Sequence, residues 1–215
     1  MACDGSSMVA AWLGVAEVIR AHRDELVRLD REIGDGDHGE NLRRGFDVVA
    51  ERLAAMDAAT PGAVLKSVAT TLISTVGGAA GPLFGTALLR AAKALGDRAT
   101  LDGTAVAEAL AASSEGVIAR GRAEIGDKTM VDALVPAAKA AESAAQRGDS
   151  ASGVLAEAAR AATRGAHDTV ELVARKGRAS YLGPRSAGHL DPGARSTELI
   201  LTSLAASAGS LGEGS

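Results

Sequence analysis

The sequence predicts an all-α fold, an eight-helix antiparallel up-and-down barrel or bundle. Three observations carry that expectation. Apolar residues recur at helical spacing almost throughout, and strand-like alternation is nearly absent. The connections between periodic segments are mostly short, which favours antiparallel neighbours. Hydrophobic residues make up 47% of the chain but aromatics only 2%, so Ala, Leu, Val and Ile must build the core, and small side chains suit close helix packing. The 215 residues fit one domain with a sizeable core, expected over 1–208, with a disordered tail at 209–215.

Ser6 or Ser7 caps a first helix carrying Val9, Leu13, Ala16 and Ile19, and Leu26 and Leu29 continue that face to Asp30. This first helix is also open to being broken in two. A second helix starts near His38 and shows Leu42, Phe46, Val49, Leu53 and Met56 on one side. Thr60-Pro61 is an N-cap followed by Pro at the first helical position, and the third helix runs to Val76. Gly77-Gly78-Ala79-Ala80-Gly81-Pro82 interrupts the pattern, which resumes from Leu83 to Leu95 and stops at Gly96. Asp102 caps a fifth helix ending near Gly121. Thr129 caps a sixth that tolerates Pro136 within its first two turns and stops at Gly148. A seventh runs from about Ser152 to Lys176 with Gly177 as its stop. Arg178 to Arg195 shows no periodicity, and Ser196 opens the eighth helix.

Composition excludes several function classes. The net charge is −4, with no basic stripe and almost no aromatic platform for bases, which argues against nucleic-acid binding. The lone cysteine, Cys3, lies in a terminus expected to fray. It allows no disulfide within the chain, which fits a reducing compartment. No apolar run reaches the roughly 18 residues of a membrane span, and the first residues lack the order of a signal peptide. The expected location is the cytoplasm.

The densest chemistry is Asp30 to Asn41, D-R-E-I-G-D-G-D-H-G-E-N. Asp30, Asp35 and Asp37 repel one another unless a cation sits between them. The interleaved glycines let the backbone turn tightly enough to bring them together. Carboxylate oxygens suit a hard cation such as Mg²⁺. His38 and Asn41 follow at a helix start, where free N–H groups favour an anion. A solvated Asp/Gly turn is the plain alternative. An EF-hand is ruled out, because the twelfth position counted from Asp35 is Phe46, not Glu.

Three further loops carry chemistry. Gly77-Gly78-x-x-Gly81-Pro82 opens a helix with closely spaced N–H groups, suited to phosphate or simply to a tight helix–helix turn. In Gly126-Asp127-Lys128-Thr129-Met130, Lys128 meets either phosphate or solvent, and Met130 either fills the core or faces a flat ring. The 178–195 loop holds Arg178 and Arg185, either on phosphate or in solvent, and Asp191-Pro192-Gly193 is a tight turn by type. In an up-and-down bundle these loops share one end. His22 and His167 lie in helical patterns and read as structural. No arrangement supports nucleophilic catalysis.

Taken together and in order, these motifs resemble the nucleotide-binding L subunit of dihydroxyacetone kinase. The resemblance rests on L-D-x-x-I-G-D-G-D-H-G-x-N at Leu29 to Asn41 and G-G-A-x-G-P-L-F-G-T at Gly77 to Thr86. It continues with G-D-K-T-M-V-D at Gly126 to Asp132 and the long motif at Gly177 to Ala194. It implies an eight-helix barrel with ADP or ATP at one end, held through two Mg²⁺ on Asp30, Asp35 and Asp37. It implies nucleotide contacts at His38, Gly39 and Asn41, at Gly78, Ala79 and Ala80, and at Gly121 and Met130 near the adenine. Arg178 and the Asp191-Pro192-Gly193 turn close over the nucleotide, with Arg178 also stabilising charge on the moving phosphoryl group.

The resemblance further implies γ-phosphoryl transfer to dihydroxyacetone held on a separate K subunit, and a homodimer within the complex. A phosphohistidine protein of the sugar phosphotransferase system is a further implied partner. Two positions depart from the pattern: Ala80 replaces a common Ser, and Phe84 a common Tyr. Neither removes a metal ligand. Direct ATP exchange, another small ketose as acceptor, and a non-catalytic nucleotide-bound interaction module are the alternatives.

Overall fold

The computed structural model describes residues 3–57 and 60–212. Among them the helical spacing becomes nine α-helices: α1 Gly5–Ala21, α2 Arg23–Ile33, α3 His38–Ala54, α4 Pro61–Thr75, α5 Ala80–Leu95, α6 Gly103–Gly121, α7 Val131–Gln146, α8 Ala151–Asp168 and α9 Pro192–Gly212. From α3 onward each helix packs on the next, and α1 closes the ring between α9 and α3. Eight helices therefore form the barrel, and α2 continues α1 beyond a break at His22. The His22 ring nitrogen lies 2.8 Å from the Val18 carbonyl oxygen, four residues back. Side-chain competition for a helical acceptor of this kind bends or breaks helices.

Local signals set most boundaries. Thr60 Oγ1 accepts from the Ala63 N–H at 3.2 Å and Asp102 Oδ1 from that of Ala105 at 2.7 Å, so both expected caps form. Gly96, at φ 56°, ends α5. The first cap differs from expectation. Asp4, not Ser6 or Ser7, caps α1, and Ser7 returns the bond to the Asp4 N–H as the third residue of a capping box. Cys3 is not frayed. Cys3–Asp4 (β1) pairs antiparallel with Thr100–Leu101 (β2).

Two boundaries move for tertiary reasons. The seventh barrel helix ends at Asp168 rather than Lys176. The Thr169 carbonyl is taken by the Lys128 ammonium, and the Thr169 hydroxyl donates to the Ala166 carbonyl at 2.6 Å. The Thr169 carbonyl also accepts from the Leu172 N–H at 3.1 Å, so the chain leaves the α-helix through a tighter 3₁₀ turn. The chain passes through short 3₁₀ segments at Thr169–Glu171 and Arg178–Ser186 before α9. That helix starts at Pro192, not Ser196. Asp191 Oδ2 accepts from the Ala194 N–H at 2.7 Å, so Asp191-Pro192 is a cap and first helical residue rather than a free turn. α9 continues to Gly212, and residues 213–215 of the expected tail lie outside the described residues.

The core is aliphatic, with Trp12 stacked on Phe46 at 6.4 Å between ring centroids. An apolar cavity of ≈ 130 Å³ lies within the barrel, and Phe84 and Met130 wall it off from the end that carries the polar loops. Among the described residues no helix is long and apolar enough to cross a membrane.

Glycine permits a close helix approach between α7 and α8. A Cβ at Gly165 would lie 2.1 Å from the Asp132 carbonyl oxygen, a backbone atom that cannot step aside alone. Gly165→Ala is expected to destabilise the fold by about 1–3 kcal/mol through overpacking. Urea denaturation reads it, and an unchanged midpoint would show that the two helices separate without cost.

Candidate functional site

Alternation around the ring brings the starts of α3, α5, α7 and α9 to one end, together with the last turns of α2, α4, α6 and α8. Helix starts carry partial positive charge and unsatisfied N–H groups. A cavity of ≈ 210 Å³ opens there, and residues from all four starts line it. The residues at the N-cap positions of α3, α5 and α7 make no side-chain cap bond to their own helices.

One wall is acidic. Asp30 is in the last turn of α2, and Asp35 and Asp37 sit in the loop that follows. One oxygen from each lies within 4.8 Å of the other two. Asp30 is buried and the others are exposed. The loop depends on its glycines. Gly36 adopts φ 78°, and a Cβ at Gly34 would meet Asp30 Oδ1 at 2.2 Å. Asp30 Oδ2 accepts from the His38 N–H at 3.0 Å, and Arg178 Nη2 pairs with Asp35 Oδ2 at 2.9 Å. One guanidinium does not balance three carboxylates. An all-oxygen donor set fits a hard divalent cation, so the residues present suit Mg²⁺.

The opposite wall is backbone. Gly78 sits at φ 66° with open space where a Cβ would stand, and Ala79 and Ala80 open α5. Asn41 is buried beside this loop. Its Oδ1 accepts from Arg44 Nη2 at 2.8 Å, so the amide NH₂ is the end left to the cavity. His38 is held 3.0 Å from the Ser196 hydroxyl and also bonds the Pro192 carbonyl. Burial pushes its imidazole below the ordinary range, toward the neutral form. Met130, Asp191, Pro192 and Gly193 complete the lining with Arg178.

The structure thus gathers Asp30, Asp35, Asp37, His38, Asn41, Gly78, Ala79, Ala80, Met130, Arg178, Asp191, Pro192 and Gly193 around one cavity. Gly39 and Gly121 stand outside its lining. Gly39 brings α3 against α2, where a Cβ would lie 2.3 Å from the Arg23 carbonyl oxygen, and Gly121 ends α6 against Leu83. Lys128 is not solvated, although it lines the cavity. It is buried at the cavity base, with Nζ donating to the Thr169 and His189 carbonyls. The one signal for this in the chain is a lysine between Asp127 and Asp132 at the edge of an apolar helix.

The DAK2 domain family model matches residues 32–206. The chain belongs to the DAK2 domain family. The ADP-binding subunit DhaL of the PEP-dependent dihydroxyacetone kinase of Escherichia coli (strain K12) is 42% identical over 203 residues, 94% of this chain and 97% of that protein. The L-erythrulose kinase of Pectobacterium atrosepticum is 36% identical over 92% of this chain, which spans 34% of that protein. Among solved structures, the dihydroxyacetone kinase from C. freundii in complex with AMP-PNP and Mg²⁺ shares the fold. Its TM-score is 0.73 at 24% identity, over 96% of this DAK2 chain and 35% of that one.

Burial pushes the Asp191 carboxyl up to about 7, against its bond from the Ala194 N–H and the nearby Lys128 ammonium. Between its ordinary value of 3.8 and about 7, the folded chain holds a proton that the unfolded chain releases. Its contribution is fully present below the ordinary value and is lost as pH rises through about 7. Asp191→Asn keeps the cap and removes the titration. Thermal melts from about pH 4 to about pH 8 should show wild-type Tm falling relative to the variant as pH rises. Parallel curves would place the Asp191 carboxyl at its ordinary value.

Proposed function

We propose that this protein is the nucleotide-binding, phosphoryl-transferring subunit of a dihydroxyacetone kinase. It holds Mg²⁺-bound ADP or ATP and, in the ATP form, passes the γ-phosphoryl group to a hydroxyl of dihydroxyacetone held on a separate K subunit, leaving ADP. The observation that carries this reading is the cavity itself, with three carboxylates within 4.8 Å of one another facing the glycine loop and uncapped start of α5. A 42% identity to an ADP-binding DhaL subunit over nearly all of both chains supports it.

Asp30, Asp35 and Asp37 would hold two Mg²⁺, which supply the positive charge that a triphosphate and three carboxylates need beside each other. The N–H groups of Gly78, Ala79 and Ala80 and the Asn41 amide offer donors to phosphate oxygens. Arg178 reaches the same point from the opposite side and is placed to stabilise charge on the moving group. Met130, buried between the barrel interior and the cavity, offers a polarisable surface to the base. Ala80 provides its N–H but no hydroxyl, so phosphate binding there relies on backbone. Phosphoryl transfer needs positioning and charge neutralisation more than covalent chemistry, which matches a wall of carboxylates, amides and one guanidinium.

The partners in this reading are the K subunit and a phosphohistidine protein of the phosphotransferase system. Relatives named as PEP-dependent kinase subunits support it. A homodimer within the complex and a cytoplasmic location belong to the same reading.

Native mass spectrometry tests it. The purified protein should carry excess mass equal to one ADP and two Mg²⁺, lost on chelation. Asp35→Ala, at an exposed loop position, should stay folded, release the nucleotide and lower transfer with an intact K subunit by about 100-fold or more. Undiminished transfer by that variant would overturn the metal assignment.

A further inference from the structure

The segment that carries Arg178 and Asp191 into the site is tied at both feet to one buried ammonium. The strap from Thr169 to Asp191 leaves α8, crosses the cavity rim and returns to start α9. Lys128 Nζ donates to the carbonyl of Thr169 at one foot of the strap and to that of His189 at the other. The two feet also bind each other. The Gly188 N–H donates to the Val170 carbonyl at 2.7 Å, and the Asp191 N–H to the Thr169 hydroxyl at 3.0 Å. Asp127, the residue before Lys128, holds the strap's middle: its carbonyl accepts from the Arg175 N–H at 3.1 Å and its Oδ1 from Arg175 Nε at 2.9 Å.

The turn that presents Lys128 is built for the purpose. Lys128 adopts φ 62°, in the left-handed region that a lysine rarely enters. Asp132 stabilises this turn by accepting from the N–H groups of Gly126 and Thr129. Strain of this sort persists only where the surroundings over-determine it.

Energetics point the same way. Apolar anchoring of the strap is limited to a small cluster of Ile33, Ala174 and Ala179 with Leu182 beside it, and to Leu190 against the main core near the second foot. Polar tethers must therefore set its position. Burying an ammonium is costly unless it is hydrogen-bonded and near opposite charge, and an aliphatic side chain would fill the same space more cheaply. Two carbonyls and the nearby Asp132 carboxylate offset that cost here.

We infer that Lys128 is a positioning residue, the pin that closes both feet of the 169–191 strap and thereby sets Arg178 over the acidic wall and Asp191-Pro192-Gly193 beneath the nucleotide. The catalytic consequence rests on the role proposed for Arg178, whereas the pinning itself does not.

The test uses the full chain with Lys128→Met. Where that variant yields no folded protein by circular dichroism, Lys128→Gln, which keeps two N–H donors, is read in the same way. Hydrogen exchange should rise about tenfold or more in residues 170–190, with α3 to α6 exchanging as in the wild type. Exchange that rises evenly through the barrel, or stays unchanged in the strap, overturns the inference. In transfer assays with the K subunit, Lys128→Met should lower kcat about tenfold in the wild-type background but less than about twofold in Arg178→Ala, because the two act as a unit. An equal cost in both backgrounds overturns it. If Arg178→Ala alone leaves transfer intact, the role proposed for Arg178 fails, and the exchange measurement still decides for or against the pin.

Discussion

Closure of the ring is the constraint on which the rest depends. Once α9 packs against α1, alternate helices must point the same way, and four helix starts arrive at one end whatever their sequences. Each brings N–H groups that its own helix cannot satisfy. The chain answers this in two ways. At α9 it spends a carboxylate, Asp191, on the Ala194 N–H. At α3 the Asp30 carboxylate takes only the first N–H, that of His38, and at α5 no side chain caps the start; those two starts flank the acidic wall and the glycine loop. The site therefore lies beside helix starts whose N–H groups are only partly taken up by side chains. Partial positive charge and three carboxylates stand within one cavity, each incompletely compensated by the protein.

That division also explains why the polar network behind the cavity is so fully bonded. Lys128, Asp132, Thr169 and Asp191 are buried, and each is committed to backbone partners in the 126–129 turn or at the strap's feet. A half-satisfied network in that position would be costly. The charge that remains unbalanced lies on the solvent side, with the exposed Asp35 and Asp37 and with Arg178. Rigidity behind the site and unmet charge in front of it are what a positioning mechanism requires.

What could be read from the chain follows the range of the forces involved. Helix existence, the caps Thr60 and Asp102, and the stop at Gly96 depend on contacts within four residues, and all were legible. The early end of α8 was not, because it turns on a lysine 41 residues away taking the Thr169 carbonyl. Asp191-Pro192-Gly193 misled for another reason, since one tripeptide serves equally as a turn and as a cap with Pro at the first helical position. The gathering of the acidic and glycine loops followed from topology alone. Individual roles came from motif resemblance, and its glycines divide: Gly78 opens to the cavity, while Gly39 serves the approach of α3 to α2.

The two departures from the family pattern fall where this arrangement tolerates them. Ala80 stands in the first turn of α5, where the contribution to an anion is an N–H group and the helix dipole, and both survive loss of a side-chain hydroxyl. Phe84 lies one turn on, buried, with one face toward the apolar interior and the other toward the cavity. A hydroxyl there would need a partner in surroundings that are mostly hydrocarbon on one side. In the proposed function, the work at this end of the barrel rests on backbone geometry at α5 and on charged side chains at α2 and the strap. Substitutions at side chains of the glycine loop are expected to be milder than any change that moves its backbone, since the donors there belong to the peptide groups.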